Sequence, residues 1–287
     1  MSSSEDTPRA DDLVGGALPQ TQDLSIGALR DALSKVEGQA ELERWVSALA
    51  QDSRAGARAL GERTHRRRQA EIAEAARLKG LFELRSTLFE KGCQAVAGVD
   101  EVGVGPLAGP VVAAAVVLPA EVDLPGLNDS KKLSAKARER LDQAIREQAV
   151  AFSVGEVSPE EIDRMNILQA TLEAMRQAIS GLQQQVSLDH VLVDARKVPG
   201  ISIPQTALVH GDAIDGSIAA ASIVAKVYRD ALMQRMAGLF PGYGLDRHMG
   251  YGTAEHIEAL GRLGASSIHR RSFAPVAAAM KRSGSSR

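Results

Sequence analysis

The 287-residue sequence contains a single cysteine, Cys93, which excludes an internal disulfide framework and a thiolate metal cluster. Aromatic residues make up only 3% of the chain, and the formal net charge is -2. Any nucleic-acid-binding face must therefore come from local clustering of the 34 basic residues. No apolar run approaches the roughly 18 residues of a membrane span, and the polar start has no signal-peptide core. We expect a cytoplasmic protein.

The first third of the chain predicts a tail followed by helices. Residues 1–24 are polar and contain Gly15, Gly16 and Pro19, a composition typical of disordered segments. Residues 25–92 are rich in alanine, leucine, arginine and glutamate, which predicts a helical extension with one helix over 70–89. The extension includes the basic run 65–68, which is either a solvated helix face or a phosphate-contacting surface.

Strand and helix patterns alternate from residue 93 to residue 278. Short apolar runs rich in β-branched residues predict strands over 95–100, 111–118, 151–157, 190–194 and 206–209. Amphipathic or helix-prone stretches predict helices over 134–148, 167–179 and 217–236. Strands followed by helices indicate an α/β domain with a mixed sheet flanked by helices. Residues 279–287 are predicted to form a second disordered tail.

The most informative segment is 97–112, where an apolar run ends in Asp100 and Glu101 before a loop of glycines and prolines. Carboxylates at the end of a buried strand need a positive partner, and glycines let a ligand approach the backbone closely. Neighbouring residues on a strand face opposite sides, so the two acids can share a site only if the strand ends between them. Gly103 favours such an end. The segment predicts a cation site beside a ligand-contacting loop.

Two further apolar runs are also followed by an acid at or just past their end, Asp194 in one case and Asp212 in the other. Sites in α/β sheets gather at strand ends, so these carboxylates can converge with the first pair. Converging carboxylates repel one another unless divalent cations lie between them. An all-oxygen ligand set favours magnesium or manganese, and two such ions about 4 Å apart suit phosphodiester hydrolysis. Taken alone, each acid has the alternative interpretation of a helix or turn cap.

Seven ordered motifs resemble the ribonuclease HII family, the type 2 enzymes that cut at ribonucleotides within duplex DNA. The motifs lie at residues 97–112, 127–134, 191–194, 211–212, 218–227, 250–253 and 269–273. The resemblance implies an RNase H-like fold with a C-terminal helical part that binds substrate. It also implies metal-dependent cleavage 5′ of ribonucleotides, both in RNA–DNA hybrids and at single ribonucleotides in duplex DNA. We expect two manganese or magnesium ions, no membrane association and a monomeric chain.

The resemblance also implies roles for individual residues. It assigns catalysis and metal binding to four acids, Asp100, Glu101, Asp194 and Asp212. It assigns substrate contacts to a glycine loop, a basic loop and a sugar-stacking tyrosine, which here are Gly103, Val104, Gly105, Ser130, Lys131 and Tyr251. Asp230 is a further family-like acid, which we interpret as structural.

The sequence departs from the family at Val104, which occupies the place of an arginine between the two loop glycines. Smaller departures are Ala195 in place of glycine and His210 in place of lysine. The valine leaves open an alternative, a binding protein that recognises RNA–DNA junctions but cuts poorly. A second alternative, the type 1 ribonuclease H activity on longer RNA stretches, is disfavoured by the glycine loop and Tyr251.

Overall fold

Helices alone form the first part of the chain in the computed structural model, which describes residues 19–284. They are α1 (Ile26–Leu33), α2 (Gln39–Ala50) and α3 (Ala55–Leu81). The chain divides into two units, one up to Ala76 and one from Arg77 onward. In the first unit, apolar side chains of all three helices form a small core, against which Trp45 is partly buried.

The predicted tail over residues 1–24 differs from the structure at its end. Residues 1–18 lie outside the described part. Thr21, however, is buried, and the Arg54 guanidinium donates hydrogen bonds to the carbonyls of Thr21 and Leu24 at 2.7 and 2.6 Å. The same side chain is paired with Asp52. Ordered structure therefore begins before residue 25, because an ion-paired arginine fixes the backbone there.

The single helix predicted over 70–89 is wrong, because α3 ends at Leu81 and α4 (Glu83–Glu90) begins after a break at Phe82. The Phe82 ring packs so closely on Gly216 that a Cβ there would lie 2.1 Å from a ring carbon. Leu84 and Leu88 of α4 pack around Val96 of the first strand. The helix α4 thus packs with the second unit, whose contacts begin at Arg77, whereas the sequence predicts a domain boundary after Gly92.

The second unit contains a five-stranded mixed sheet with the strand order β3-β2-β1-β4-β5. Its strands are β1 (Val96–Val102), β2 (Val111–Val117), β3 (Ala151–Val157), β4 (His190–Asp194) and β5 (Gln205–Leu208). β1, β2 and β3 pair antiparallel, whereas β4 pairs parallel to both β1 and β5. The mixed α/β sheet predicted from the sequence is confirmed.

Helices cover both faces of this sheet. One face packs against α6 (Pro159–Met165) and α7 (Ile167–Gln183), and the other against α5 (Ala135–Gln148) and α9 (Gly216–Leu239). The short helix α8 (Gly211–Ile214) precedes α9. Gly98 of β1 allows α9 to approach closely, since a Cβ there would lie 2.0 Å from the Ser217 carbonyl carbon.

Three further helices, α10 (Leu245–His248), α11 (Ala254–Leu263) and α12 (Ala274–Gly284), complete the second unit around a separate apolar cluster. Because α12 continues to Gly284, the tail predicted from residue 279 is wrong in its first part. Val276 and Ala279 of α12 are buried in that cluster, which keeps the helix ordered. Within residues 19–284, no helix has the length and apolar character needed to cross a membrane.

Candidate active site

The carboxylates of Asp100, Glu101 and Asp194 meet at one end of the sheet. Each offers one oxygen, and these oxygens lie within 4.8 Å of one another. Asp100 is buried, and the other two residues are partly buried. Among the described residues, no other group of three or more histidine, cysteine or acidic side chains is this close. The structure thus brings together three of the four acids singled out in the sequence.

Both Asp100 and Glu101 lie inside β1, so the expectation that the strand ends between them is wrong. The pairing of β1 with β4 stops where Val99 faces Val193, whereas its pairing with β2 continues to Val102. At Asp100 and Glu101, therefore, β4 no longer separates the two faces of the sheet. Side chains from opposite faces can turn into the same gap beyond the end of β4.

The two neighbouring acids lie on opposite faces of β1, and each face is covered by a different helix. Asp100 lies on the α9 face, where the nearby Ser222 side chain acts to lower the pKa of its carboxyl group. Glu101 lies on the α7 face and lines a recess of about 160 Å³ together with Leu168, Thr171 and Val104. The site is consequently built from both helical layers, and the strand β1 supplies one carboxylate to each side.

Burial and mutual repulsion raise the pKa values of these carboxyl groups. Burial, followed by the charges of Glu101 and Asp194, holds the pKa of Asp100 well above its ordinary value. Burial, followed by the charge of Asp194, raises the pKa of Glu101 to about 7. The Oε2 atom of Glu101 is buried and has no hydrogen-bond partner. An unpartnered acceptor among repelling carboxylates fits a hard divalent cation with oxygen ligands.

Asp212 lies near the cluster, at the start of α8. The backbone N–H of Gly211 donates to Asp194 Oδ1 at 2.7 Å, which ties β4 to the residue just before Asp212. Asp212 is buried, and its Oδ2 lies 3.7 Å from Lys131 Nζ. Burial, followed by the nearby charge of Asp129, raises its pKa. The fourth acid therefore lies beside the three clustered ones but outside their closest group.

The basic loop places Ser130 and Lys131 differently. The Ser130 side chain is buried and its hydroxyl lies 2.9 Å from that of Ser222, so it points into the protein. The Lys131 side chain is 82% exposed at the rim of the cluster. Sequence reasoning missed Ser222, which links Ser130 to Asp100. The available signal was a polar residue inside the otherwise apolar run of α9, since buried polar groups require partners.

The glycine loop and Tyr251 form one exposed surface near the carboxylates. Val104 is 39% exposed and Tyr251 is 42% exposed. A Cβ on Gly105 would lie 3.8 Å from Tyr251 Cε1, so the loop and the ring are neighbours. The Leu107 N–H donates to the Gly250 carbonyl at 2.8 Å, which fastens the loop to the segment carrying the tyrosine.

Three buried histidines hold the segment around Tyr251. His256 Nδ1 donates to the Tyr251 carbonyl at 2.9 Å, so its Nε2 is the unprotonated nitrogen in the neutral ring. That Nε2 lies 3.2 Å from His269 Nε2, which donates because His269 Nδ1 accepts from the Ser266 N–H. His248 stacks on His256 with ring centroids 4.5 Å apart. The hydrogen bonds therefore require neutral rings at His256 and His269.

Comparison with known proteins finds relatives that match most of the chain. The family model for ribonuclease HII matches residues 97–276, and that for the ribonuclease HII N-terminal domain matches residues 25–84. Ribonuclease HII of Desulfitobacterium hafniense strain Y51 is 50% identical over 234 residues, covering 82% of this chain and 89% of that protein. Ribonuclease HII of Myxococcus xanthus is 51% identical over 236 residues, covering 82% and 80%.

A solved structure shares the fold. The ribonuclease H2 of Pyrococcus horikoshii OT3 superposes with a TM-score of 0.56 at 27% identity, covering 66% of this chain and 98% of its own. This likeness assigns the chain an RNase H fold. Because a family model covers more than half of the chain and relatives are about half identical to it, the chain belongs to the ribonuclease HII family of metal-dependent endoribonucleases.

Proposed function

We propose that this protein hydrolyses the phosphodiester bond 5′ of ribonucleotides, both in RNA–DNA hybrids and at single ribonucleotides embedded in duplex DNA. The observation that carries the proposal is the carboxylate cluster of Asp100, Glu101 and Asp194 beside the exposed loop and Tyr251. In the proposal the carboxylate cluster carries out hydrolysis and the adjoining exposed surface contacts the sugar. The 2′-hydroxyl is the group that distinguishes such a target from DNA.

Two divalent ions, magnesium or manganese, would be held by Asp100, Glu101, Asp194 and Asp212. When bound, such ions supply charge neutralisation and an activated water for phosphodiester hydrolysis. The raised pKa values of Asp100 and Glu101 and the unpartnered Glu101 Oε2 support this ligand set. The hydrogen bond between Gly211 N–H and Asp194 Oδ1 would keep the two sides of the site in register.

The chain's own side chains would orient the nucleic acid. Lys131, exposed at the rim, suits a phosphate as a point charge. The Tyr251 ring would stack on a sugar, and Gly103, Val104 and Gly105 would contact the ribonucleotide through their backbone. Ser130 would act indirectly, because its buried hydroxyl contacts Ser222 and so supports Asp100.

Cleavage of end-labelled duplexes tests the proposal. Three substrates are compared in magnesium or manganese: one with a single ribonucleotide, one all-DNA duplex and one RNA–DNA hybrid. We expect a cut 5′ of the single ribonucleotide that leaves a 3′-hydroxyl, no cut in all-DNA duplex, and loss of cleavage in EDTA or on Asp100→Asn. Binding without cleavage in either metal would instead support a junction-binding protein. Cleavage of the hybrid alone would indicate the type 1 activity.

A further inference from the structure

Two arginines of the second unit are buried beneath the glycine loop. Arg229 of α9 and Arg270, which precedes α12, are both 0% exposed. In the described part of the chain neither forms an ion pair with a carboxylate, and both are satisfied by main-chain carbonyls. Burial lowers the pKa of Arg229, and burial followed by the charge of Arg229 lowers the pKa of Arg270 to about 9. Buried cations without an acidic partner are unusual, because desolvation of a charge is costly.

All but one of the carbonyls that accept from these arginines belong to residues 103–110. Arg270 donates to the carbonyls of Gly103, Val104 and Gly109 at 2.6, 2.9 and 2.9 Å. Arg229 donates to those of Pro110 and Ala108 at 3.0 and 3.2 Å, and to Met249 at 3.0 Å. The loop is therefore held along its length by two planar guanidinium groups, which have several donors in fixed directions.

These hydrogen bonds determine which way the loop amides point. In a trans peptide the carbonyl and the following N–H point in opposite directions, and the described chain has no cis peptide bond. Because the Gly103 and Val104 carbonyls point inward to Arg270, the N–H groups of Val104 and Gly105 point outward. Both residues are exposed, and Gly105 adjoins the Tyr251 ring. The loop thus presents two donors on the surface facing the tyrosine.

The arginines also give this loop a charge that its own side chains lack. Val104 is apolar, so the side chains of the loop itself carry no charge that would attract a phosphate. Two guanidinium groups directly below the loop supply positive charge there, and charges away from solvent are screened little by salt.

We propose that Arg229 and Arg270 are positioning residues for the ribonucleotide, because they turn the loop carbonyls inward, aim the Val104 and Gly105 N–H groups at the substrate and supply the positive charge of the loop. This inference rests on the proposed function, in which the loop contacts the ribonucleotide. A lysine at either position keeps the charge but has one ammonium nitrogen in place of the three guanidinium nitrogens that bond three separate carbonyls. Replacement of the guanidinium group should therefore weaken substrate binding more than it slows the chemical step.

The test measures KM and kcat of Arg270→Lys and Arg229→Lys on the single-ribonucleotide duplex, together with binding to the matched all-DNA duplex. The matched control is Arg85→Lys, since Arg85 is equally buried in the second unit but donates to Ala120, away from the loop. We expect KM to rise about tenfold or more, equivalent to about 1.4 kcal/mol, with a smaller fall in kcat and a reduced preference for the ribonucleotide. The control should keep the wild-type KM.

If wild type cuts at the ribonucleotide but both loop variants keep its KM and preference, the inference is wrong while the proposed function stands. Failure of wild type to cut would overturn the proposed function itself. Should the variants not fold, amide exchange on the wild-type protein decides. With a bound single-ribonucleotide duplex and calcium as the cation, the Val104 and Gly105 amides should become protected; unchanged exchange there would contradict the inference.

Discussion

At the scale of single residues, Gly103 and Gly105 are glycines for different reasons. Gly103 has φ +89°, and a Cβ there would lie 2.2 Å from Arg229 Nε. Gly105 does not need a left-handed backbone, and the nearest atom to an added Cβ would be Tyr251 Cε1 at an ordinary 3.8 Å. The fold therefore requires glycine at position 103 and tolerates a methyl group at position 105. Under the proposed function, the reason for glycine at position 105 is the close approach of the substrate.

This difference predicts opposite outcomes for two alanine substitutions. Gly105→Ala should leave the melting temperature within about 1 °C of wild type and strongly reduce cleavage, because the new methyl group faces the substrate. Gly103→Ala should lower the free energy of unfolding by about 2–5 kcal/mol, through backbone strain and the clash with Arg229. Thermal denaturation and cleavage of the single-ribonucleotide duplex measure both. An active Gly105→Ala protein would show that no ligand approaches the loop at that point.

The repulsion within the carboxylate cluster predicts that Asp100→Asn stabilises the metal-free protein. Burial and the charges of Glu101 and Asp194 make the ionised form of Asp100 unfavourable, and a neutral amide removes that penalty. At pH 8 in EDTA we expect a melting temperature about 2–4 °C above wild type, together with loss of cleavage.

Manganese supplies the control for this prediction. It should raise the melting temperature of wild type more than that of Asp100→Asn, because the variant has lost one ligand charge. A variant that melts below wild type in EDTA would mean that Asp100 has a mainly structural role.

At the scale of elements, the histidine cluster joins α10, α11 and the segment before α12, and His256 at its centre bonds the carbonyl of Tyr251. Its hydrogen bonds require neutral rings, since two protonated Nε2 atoms cannot share the 3.2 Å contact between His256 and His269. Burial, followed by the charge of His256, lowers the pKa of His269 to about 4. Protonation of the cluster would therefore loosen the support of the tyrosine.

The sign of the resulting pH dependence follows from linkage. His269 binds its proton near pH 6.5 in the unfolded chain and near 4 in the folded protein. Its contribution to the free energy of unfolding is fully present above about pH 6.5 and is lost as the pH falls toward 4. We expect His269→Gln to flatten this part of the profile, measured by urea unfolding at several pH values. The exposed His65→Gln is the control and should keep the wild-type slope; equal slopes for both variants would contradict the prediction.

The main elements and the three clustered acids could be predicted because they depend on local patterns. Short β-branched runs ending in an acid mark β1 and β4, and an apolar stretch marks α9 almost to its full length. The shared pattern at the strand ends is what singled out Asp100, Glu101 and Asp194. Each of these inferences needs only the spacing of apolar residues along the sequence and the chemistry of carboxylates.

Features that depend on long-range packing could not be predicted in this way. The break at Phe82 is set by the contact of its ring with Gly216, which is distant in sequence. The meeting of Asp100 and Glu101 depends on where β4 stops pairing. Arg229 and Arg270 follow no local signal, because arginine in a sequence normally indicates an exposed position and only the tertiary structure supplies their carbonyl partners.

At the scale of the whole molecule, the division at residues 76 and 77 predicts where the chain can be shortened. Residues 77–284 contain the sheet, the helices on its faces and every candidate site residue. A chain lacking residues 1–76 should fold and cleave the single-ribonucleotide duplex with a kcat close to wild type. Its KM shows whether the extension, with its basic run 65–68, adds to substrate affinity.

A chain lacking residues 1–92 is the matched comparison. It loses α4, whose Leu84 and Leu88 pack around Val96, and the Phe82 ring that contacts Gly216. We expect a melting temperature at least several degrees below that of the shorter deletion, because large apolar side chains are removed from a packed core. Equal stability of the two truncated proteins would place the boundary of the catalytic unit after Gly92.

Because of this division, the fluorescence of Trp45 can report on the unfolding of one unit. It is the only tryptophan of the chain, and it packs in the small helical core of the first unit. Tryptophan fluorescence therefore follows the unfolding of the first unit alone, whereas far-ultraviolet circular dichroism follows the helices of both units. Coincident transitions by the two signals would indicate that the units unfold cooperatively, and separate transitions would give each unit its own midpoint. The native protein thus carries a built-in reporter for one unit, with no label required.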